Sequence, residues 1–136
     1  MAKEFALSVV APDREVVAEG VTSVIAPGVS GYFGVLADHL PLVAALKPGL
    51  LEYIDASGQR HFVYVGGGFV EVKANRMTVL ADEASAAKDI DLSRAEADLD
   101  VARRALRGEE TSMSQDQAVH EVEKAMQRIR AARAAR

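Results

Sequence analysis

The chain of 136 residues has no cysteine and no tryptophan. Without cysteine there is neither a disulfide framework nor a thiolate metal site, which suits a reducing compartment. Aromatic residues are scarce, and all seven, together with all four prolines and nine of the ten glycines, precede residue 84. Basic charge is also lacking. The formal net charge of −4 arises in the first 85 residues, which hold six Lys and Arg against ten Asp and Glu, while the remainder balances ten against ten. No broad basic face is available, which argues against electrostatic nucleic-acid binding. Met1-Ala2-Lys3-Glu4 does not open an apolar run, so no secretory leader is expected. An uncharged stretch of 18 residues, Gly20–Ala37, contains Pro27, Gly28, Gly31 and Gly34. It reads as strand–turn–strand rather than a spanning helix, and any membrane contact is expected only through another protein.

What is present divides in two. Aromatic and β-branched residues with Gly and Pro at turns favour strands, whereas Ala, Leu, Glu and Arg favour helix. Residues 1–85 therefore read as an all-β sandwich or flattened barrel and residues 86–136 as an all-α hairpin, an α+β chain. Phe5, Leu7 and Val9 alternate as in a half-buried strand, and the Ser57-Gly58 turn joins Leu50–Ile54 to His61–Val65 in a hairpin. Breaks are expected at Gly20, Pro27-Gly28, Lys47-Pro48-Gly49 and Gly66-Gly67-Gly68, giving eight to ten short strands.

The second half reads as two helices. Leu92, Leu99 and Leu106 recur every seven residues, with Ala95 and Ala102 three after the first two, an a/d seam made half of alanine. Asp89 or Asp91 can cap its start, and Gly108 sits where it should end. The second helix starts near Ser112 or Ser114, each with Gln three residues on. It carries Ala118, Val119, Val122, Ala125, Met126 and Ile129 on one face. Two such stripes predict an antiparallel helical hairpin.

The catalytic inventory is thin. His39, His61 and His120 have no second ligand at metal spacing, so no metal site is expected. Asp38-His39 has no serine in a nucleophile elbow to serve. Gly66-Gly67-Gly68 lacks the Lys-Ser/Thr of a phosphate loop, and Gly28, Gly31 and Gly34 do not form the dinucleotide fingerprint. Turn and bulge chemistry accounts for these glycines. Arg128, Arg130, Arg133 and Arg136 crowd the end of the second helix. They either complement its C-terminal dipole or form a basic tip for an acidic partner.

A resemblance then becomes specific. Glu19-Gly20, Gly31-Tyr32-Phe33-Gly34-Val35-Leu36-Ala37-Asp38-His39-Leu40-Pro41-Leu42, Leu46-Lys47-Pro48-Gly49, Gly66-Gly67-Gly68-Phe69-Val70-Glu71-Val72 and Val79-Leu80-Ala81-Asp82 occur in order. Together they resemble the epsilon subunit of bacterial and chloroplast F-type ATP synthases. The resemblance implies a ten-stranded β-sandwich with two α-helices, in a non-catalytic rotor subunit that couples the gamma subunit to the membrane ring of c subunits. Its helical domain would brake ATP hydrolysis through contacts with the beta and alpha subunits, on the cytoplasmic side of a bacterial plasma membrane. One departure stands out: the family's usual Pro-Gly before the histidine reads Ala37-Asp38 here. The segment Ser30–Leu42 reads as an apolar loop presenting Tyr32, Phe33 and Leu40, with Asp38 and His39, to the c-ring; the same residues could equally be core.

Ile90-Asp91-Leu92-Ser93-Arg94-Ala95 resembles the motif by which some family members bind ATP on the folded hairpin, so that Ile90, Asp91, Arg94 and Ala95, with Lys124 and Arg128 from the second helix, would hold a regulatory ATP. No other cofactor is implied. Free backbone N–H groups at a helix start and an arginine one turn on suit a phosphate. The plainer alternative is Asp91 as N-cap and Arg94 as a solvated side chain. Ser85 and Val101 stand where several binders carry an acidic residue and an arginine. A rival reading of the whole chain is a free-standing β-sandwich adaptor that dimerises through its helical seam.

Overall fold

The computed structural model describes residues 2–135. Seven strands precede two helices: β1 (Phe5–Ala11), β2 (Arg14–Gly28), β3 (Gly31–Leu36), β4 (Leu42–Asp55), β5 (Arg60–Lys73), β6 (Arg76–Ala81), β7 (Ala84–Ala86), α1 (Leu92–Leu106) and α2 (Gln115–Ala134). The expectation of about ten short strands is corrected by three long ones, since β2 has 15 residues and β4 and β5 have 14 each. Gly20, Pro48-Gly49 and Gly66-Gly67-Gly68 lie inside these strands. They bend the chain instead of ending it: Pro48, which has no N–H to give, faces Gly66 across the β4–β5 ladder.

The bends let the sheet close on itself. β1 pairs antiparallel with β2 and parallel with β6, and the ladders β6–β5, β5–β4 and β4–β2 complete the circuit. β3 adds to β2, and β7 adds to the first half of β5. The result is the expected sandwich in the form of a flattened barrel. Inward positions supply its core: Leu7 and Val9 from β1, Val21 and Val24 from β2, Leu51 from β4, Val65 and Val70 from β5, and Met77 and Val79 from β6. Alternation on β1 sets this inward face, as its period of two requires.

Each helix terminus follows local chemistry. The Asp91 carboxylate accepts from the Arg94 N–H at 3.1 Å and caps α1. Gly108, at φ +76°, ends it: Gly108 N–H reaches the Ala105 carbonyl at 3.1 Å and Glu109 N–H the Arg104 carbonyl at 2.9 Å, a Schellman closure. Ser114 and Gln117 form a reciprocal capping box on α2. The leucine seam needs correction. Ala95, Ala102 and Ala105 of α1 and Ala118, Ala125 and Ala132 of α2 are buried, whereas Leu92 and Leu99 are half-buried and Leu106 is exposed. Alanine on both sides lets the helix backbones approach, which turns the longer side chains to the flanks. α2 also docks on the β-domain, where Ala131 packs with Leu50, Tyr64 and Ala87, flanked by Phe62 and Ile90.

Strand β5 survives the triple glycine only because Gly67 and Gly68 take φ of +95° and +137°. A Cβ at Gly68 would collide with the Leu80 carbonyl oxygen of the neighbouring strand. Gly68→Ala is expected to lower stability by about 2–3 kcal/mol, combining backbone strain with the collision, as measured by urea unfolding.

Candidate functional site

The residues singled out in the sequence fall into three places. At the start of α1, Ile90, Asp91, Arg94, Ala95 and Arg128 line one cleft of about 310 Å³ together with Ser85, Asp89 and Asp98. Lys124 lines a neighbouring groove between the helices instead. The cleft holds three carboxylates against two guanidinium groups. Arg94 Nε lies 3.4 Å from Asp98 Oδ1, an i,i+4 pair on the exposed side of the helix.

Arg128 is the centre of a second cluster. Its Nη2 donates to Glu121 Oε1 at 2.6 Å and lies 3.8 Å from Asp98 Oδ2, and its Nη1 donates to Glu83 Oε1 at 2.9 Å. The Tyr64 hydroxyl donates to Glu83, and the Arg128 guanidinium sits 5.6 Å from the centre of the Tyr64 ring. Burial, with the Glu83 carboxylate beside it, pushes the Tyr64 phenol well above its ordinary value, so it remains a donor. Lys124 Nζ lies 3.5 Å from Glu83 and 3.6 Å from Glu121. Sequence reading missed Glu83, Asp98 and Glu121. Glu121 stands two helical turns before Arg128 and could have been found by spacing; Glu83, 45 residues away, carries no local signal.

The expected Ser30–Leu42 loop is instead strand β3 followed by a turn. Tyr32 and Leu40 are thereby placed toward opposite ends of β3, with about 13 Å of strand between Tyr32 and the turn that follows Leu36. Tyr32 sits beside α2, where its hydroxyl accepts from the Leu50 N–H at 3.2 Å and from Arg130 Nη1 at 3.3 Å. Phe33 is half-buried and packs against the β-domain core. At the other end of β3, Asp38 adopts φ +63°, the left-handed conformation that glycine accepts most readily and that the Pro-Gly of the resembling family would supply. Three contacts hold the turn there. Asp38 N–H donates to Asn75 Oδ1 at 2.8 Å, Asn75 Nδ2 donates to the Glu4 carbonyl at 2.9 Å, and Lys3 Nζ donates to the Asp38 carboxylate at 2.6 Å. His39 packs its ring nitrogen Nδ1 2.7 Å from the Leu40 carbonyl, leaving Leu40 79% exposed.

An apolar face missed in the sequence lies next to this turn. Val43 is 72% exposed, Phe69 61% and Leu80 58%. Phe69 pairs directly with Leu80, and Val43 pairs with Glu71 two residues along β5, so all three share the outer face of the sheet. A shallow cleft of about 240 Å³ lies among them. Inward Val70 and Val72 alternate with outward Phe69 and Glu71, so the apolar run Phe69-Val70 contains one core and one surface residue. Of the remaining basic candidates, Arg133 is exposed in the groove between the helices, and Arg136 lies outside the described residues.

The β-domain topology with a helical pair docked beside it defines the class. Residues 4–87 match the family profile described as "ATP synthase, Delta/Epsilon chain, beta-sandwich domain". The chain is 42% identical over 130 residues to the ATP synthase epsilon chain of Nitratidesulfovibrio vulgaris (strain DP4), covering 96% of each chain. It is 41% identical over 132 residues to that of Desulforamulus reducens, covering 97% of this chain and 99% of the relative. Its fold superposes on a chain of the Euglena gracilis mitochondrial ATP synthase, OSCP/F1/c-ring, with a TM-score of 0.81 at 24% identity, over 95% of this chain and 81% of that one. The chain belongs to the ATP synthase epsilon-chain family, whose members are subunits of that complex. Among the described residues, no helix is long and apolar enough to cross a membrane.

Asn75 is the hub of the Asp38 turn and itself takes φ +58°. Asn75→Ala is expected to cost about 1–2 kcal/mol, from two lost hydrogen bonds and left-handed strain, while Arg76→Ala changes little. Thermal unfolding of the two variants checks this.

Proposed function

We propose that this chain is a non-catalytic central-stalk subunit that transmits rotation between the c-ring and the gamma subunit of an ATP synthase, on the cytoplasmic side of a bacterial plasma membrane. The observation that carries the reading is the exposed apolar face of Val43, Phe69 and Leu80 beside the pinned turn bearing Leu40. Contiguous exposed apolar residues on a closed sheet mark a partner surface, and a sheet with few free edges resists the shear that torque imposes. A chain of the Tetrahymena thermophila mitochondrial ATP synthase, from a structure described as central stalk and c-ring, shares the fold with a TM-score of 0.59 at 16% identity. The turn at Asp38–Leu40 would meet the c-ring and the Val43–Phe69–Leu80 face the gamma subunit. Phe69→Ser and Val43→Ser, on the solvent side of the sheet, should leave the isolated chain folded. Either should weaken binding to gamma by about thirtyfold, as truncation of a central apolar anchor typically does. Surface plasmon resonance against purified gamma reads this, and unchanged affinity in both variants rules the face out.

The helical hairpin would regulate hydrolysis through the beta and alpha subunits, with Arg130 and Arg133 as its exposed cations. A second reading, regulatory ATP, is favoured by the convergence of Asp91, Arg94, Ala95 and Arg128 on one cleft. A nucleotide there must compete with Asp98 for Arg94 and with Glu83 and Glu121 for Arg128. Calorimetric titration of the full chain tests it: the reading requires saturable binding that Arg94→Ala abolishes. A flat titration at millimolar ATP leaves Ile90–Ala95 as a capped helix start alone.

A further inference from the structure

We infer that Glu83 is a detachable latch that holds the helical hairpin against the β-domain without any ligand. The apolar part of the docking surface is small. Ala131 supplies the buried contact from α2, and Leu50, Tyr64 and Ala87 receive it. The polar part is chiefly the Arg128 cluster, in which charged groups from both bodies meet, with one exposed hydrogen bond from Arg130 to the Tyr32 hydroxyl beside it.

The cluster is built asymmetrically. Three carboxylates approach Arg128, and two of them, Asp98 on α1 and Glu121 on α2, belong to the hairpin itself. Glu83 alone belongs to the β-domain side, in the segment between β6 and β7. It is held in place by that domain. Its carbonyl accepts the Gly66 N–H at 2.8 Å, its side chain fills the space a Cβ on Gly66 would take, and Tyr64 donates to its carboxylate. Arg128, with its side chain only 17% exposed, is therefore shared between a fixed acceptor on one body and two acceptors that travel with it.

That arrangement decides what undocking costs. Separating a half-buried ion pair is strongly unfavourable when it strands one charge. Here Arg128 keeps Glu121 at 2.6 Å after the hairpin leaves, and Lys124 keeps its i,i+3 contact with the same residue. Glu83, already 40% exposed, returns to water with Tyr64 still donating to it. Neither body is left with an unpaired buried charge. Two states of the same chain are thus brought close in free energy, which is the requirement for a switch. The hairpin's own carboxylates also occupy Arg128 in the docked state, so closure needs no phosphate to neutralise it. This inference concerns the isolated chain and does not depend on assignment of the partner surfaces or on ATP binding.

Small-angle scattering and amide exchange on the full-length chain, without nucleotide, test it. Glu83→Gln keeps the shape and removes the charge. It is expected to shift the docked-to-undocked ratio roughly five- to tenfold, the range for a partly exposed charged hydrogen bond. The signature is a larger radius of gyration and faster exchange in α2, with the amides of β1 and β6 as protected as in the parent chain. Raising salt from about 0.1 M to about 1 M, where the screening length falls from ~10 Å to ~3 Å, should open the parent chain and affect Glu83→Gln much less. An unchanged radius and exchange rate in both experiments would overturn the latch and assign docking to the apolar contacts. Loss of protection in β1 and β6 would equally overturn it, making Glu83 a support of the β-domain itself.

Discussion

Closure of the sheet through β1 is the constraint on which the rest of this molecule depends. A seven-residue strand at the start of the chain pairs with β2 on one side and, in the opposite sense, with β6 on the other. Once that circuit is closed, β2, β4 and β5 cannot run flat; each must pass from one half of the flattened barrel to the other. The bends at Pro48 and at the triple glycine are consequences of that geometry, and Gly66 within the second bend leaves the space that Glu83 occupies. The constraint that shapes the core therefore also positions the charged group that meets the hairpin.

Around this closed body, two surfaces of opposite character are arranged. The outer face carrying Val43, Phe69 and Leu80 is apolar and fixed to strands paired on both sides. The face under α2 is smaller in apolar extent and dominated by charge. Apolar burial gives non-directional, salt-insensitive adhesion, while a partly exposed ion cluster gives adhesion that solvent and salt can compete for. Under the proposed stalk role, the first kind of contact would suit partners that stay bound, and the second would suit a hairpin held by the Glu83 latch inferred above. Tyr32 lies between these regimes, since its hydroxyl accepts both from the β4 backbone at Leu50 and from Arg130 on α2.

The strain at Asp38 fits the same division. A left-handed aspartate is retained because Asn75 and Lys3 reach it from two other parts of the chain, with Asn75 itself anchored on the Glu4 carbonyl. Over-determined turns of this kind hold exposed side chains such as Leu40 in a set direction, which lowers the entropy lost when a partner binds.

The sequence by itself determined whatever depends on neighbours within a few residues. The break from aromatic, Gly- and Pro-bearing chain to Ala-, Leu- and Arg-bearing chain predicts strands before helices, and the structure follows it. Asp91, Gly108 and the Ser114–Gln117 pair are legible as caps because capping groups lie one turn from the atoms they satisfy. Tertiary structure alone decided the rest. Whether Gly66-Gly67-Gly68 ends a strand or bends it depends on what pairs with it from β4 and β6, and a glycine signal is the same in either case. Period-two alternation divides Phe69 from Val70 without saying which face is covered. The Leu and Ala stripes on the helices were both visible, but only the approach of two backbones buried the alanines and left Leu106 outside. Arg128 read as part of a basic tip, and its partner Glu83 lies 45 residues away on another element. Charge pairing at that separation is created by folding, because nothing in the local chain links the two groups until the hairpin docks.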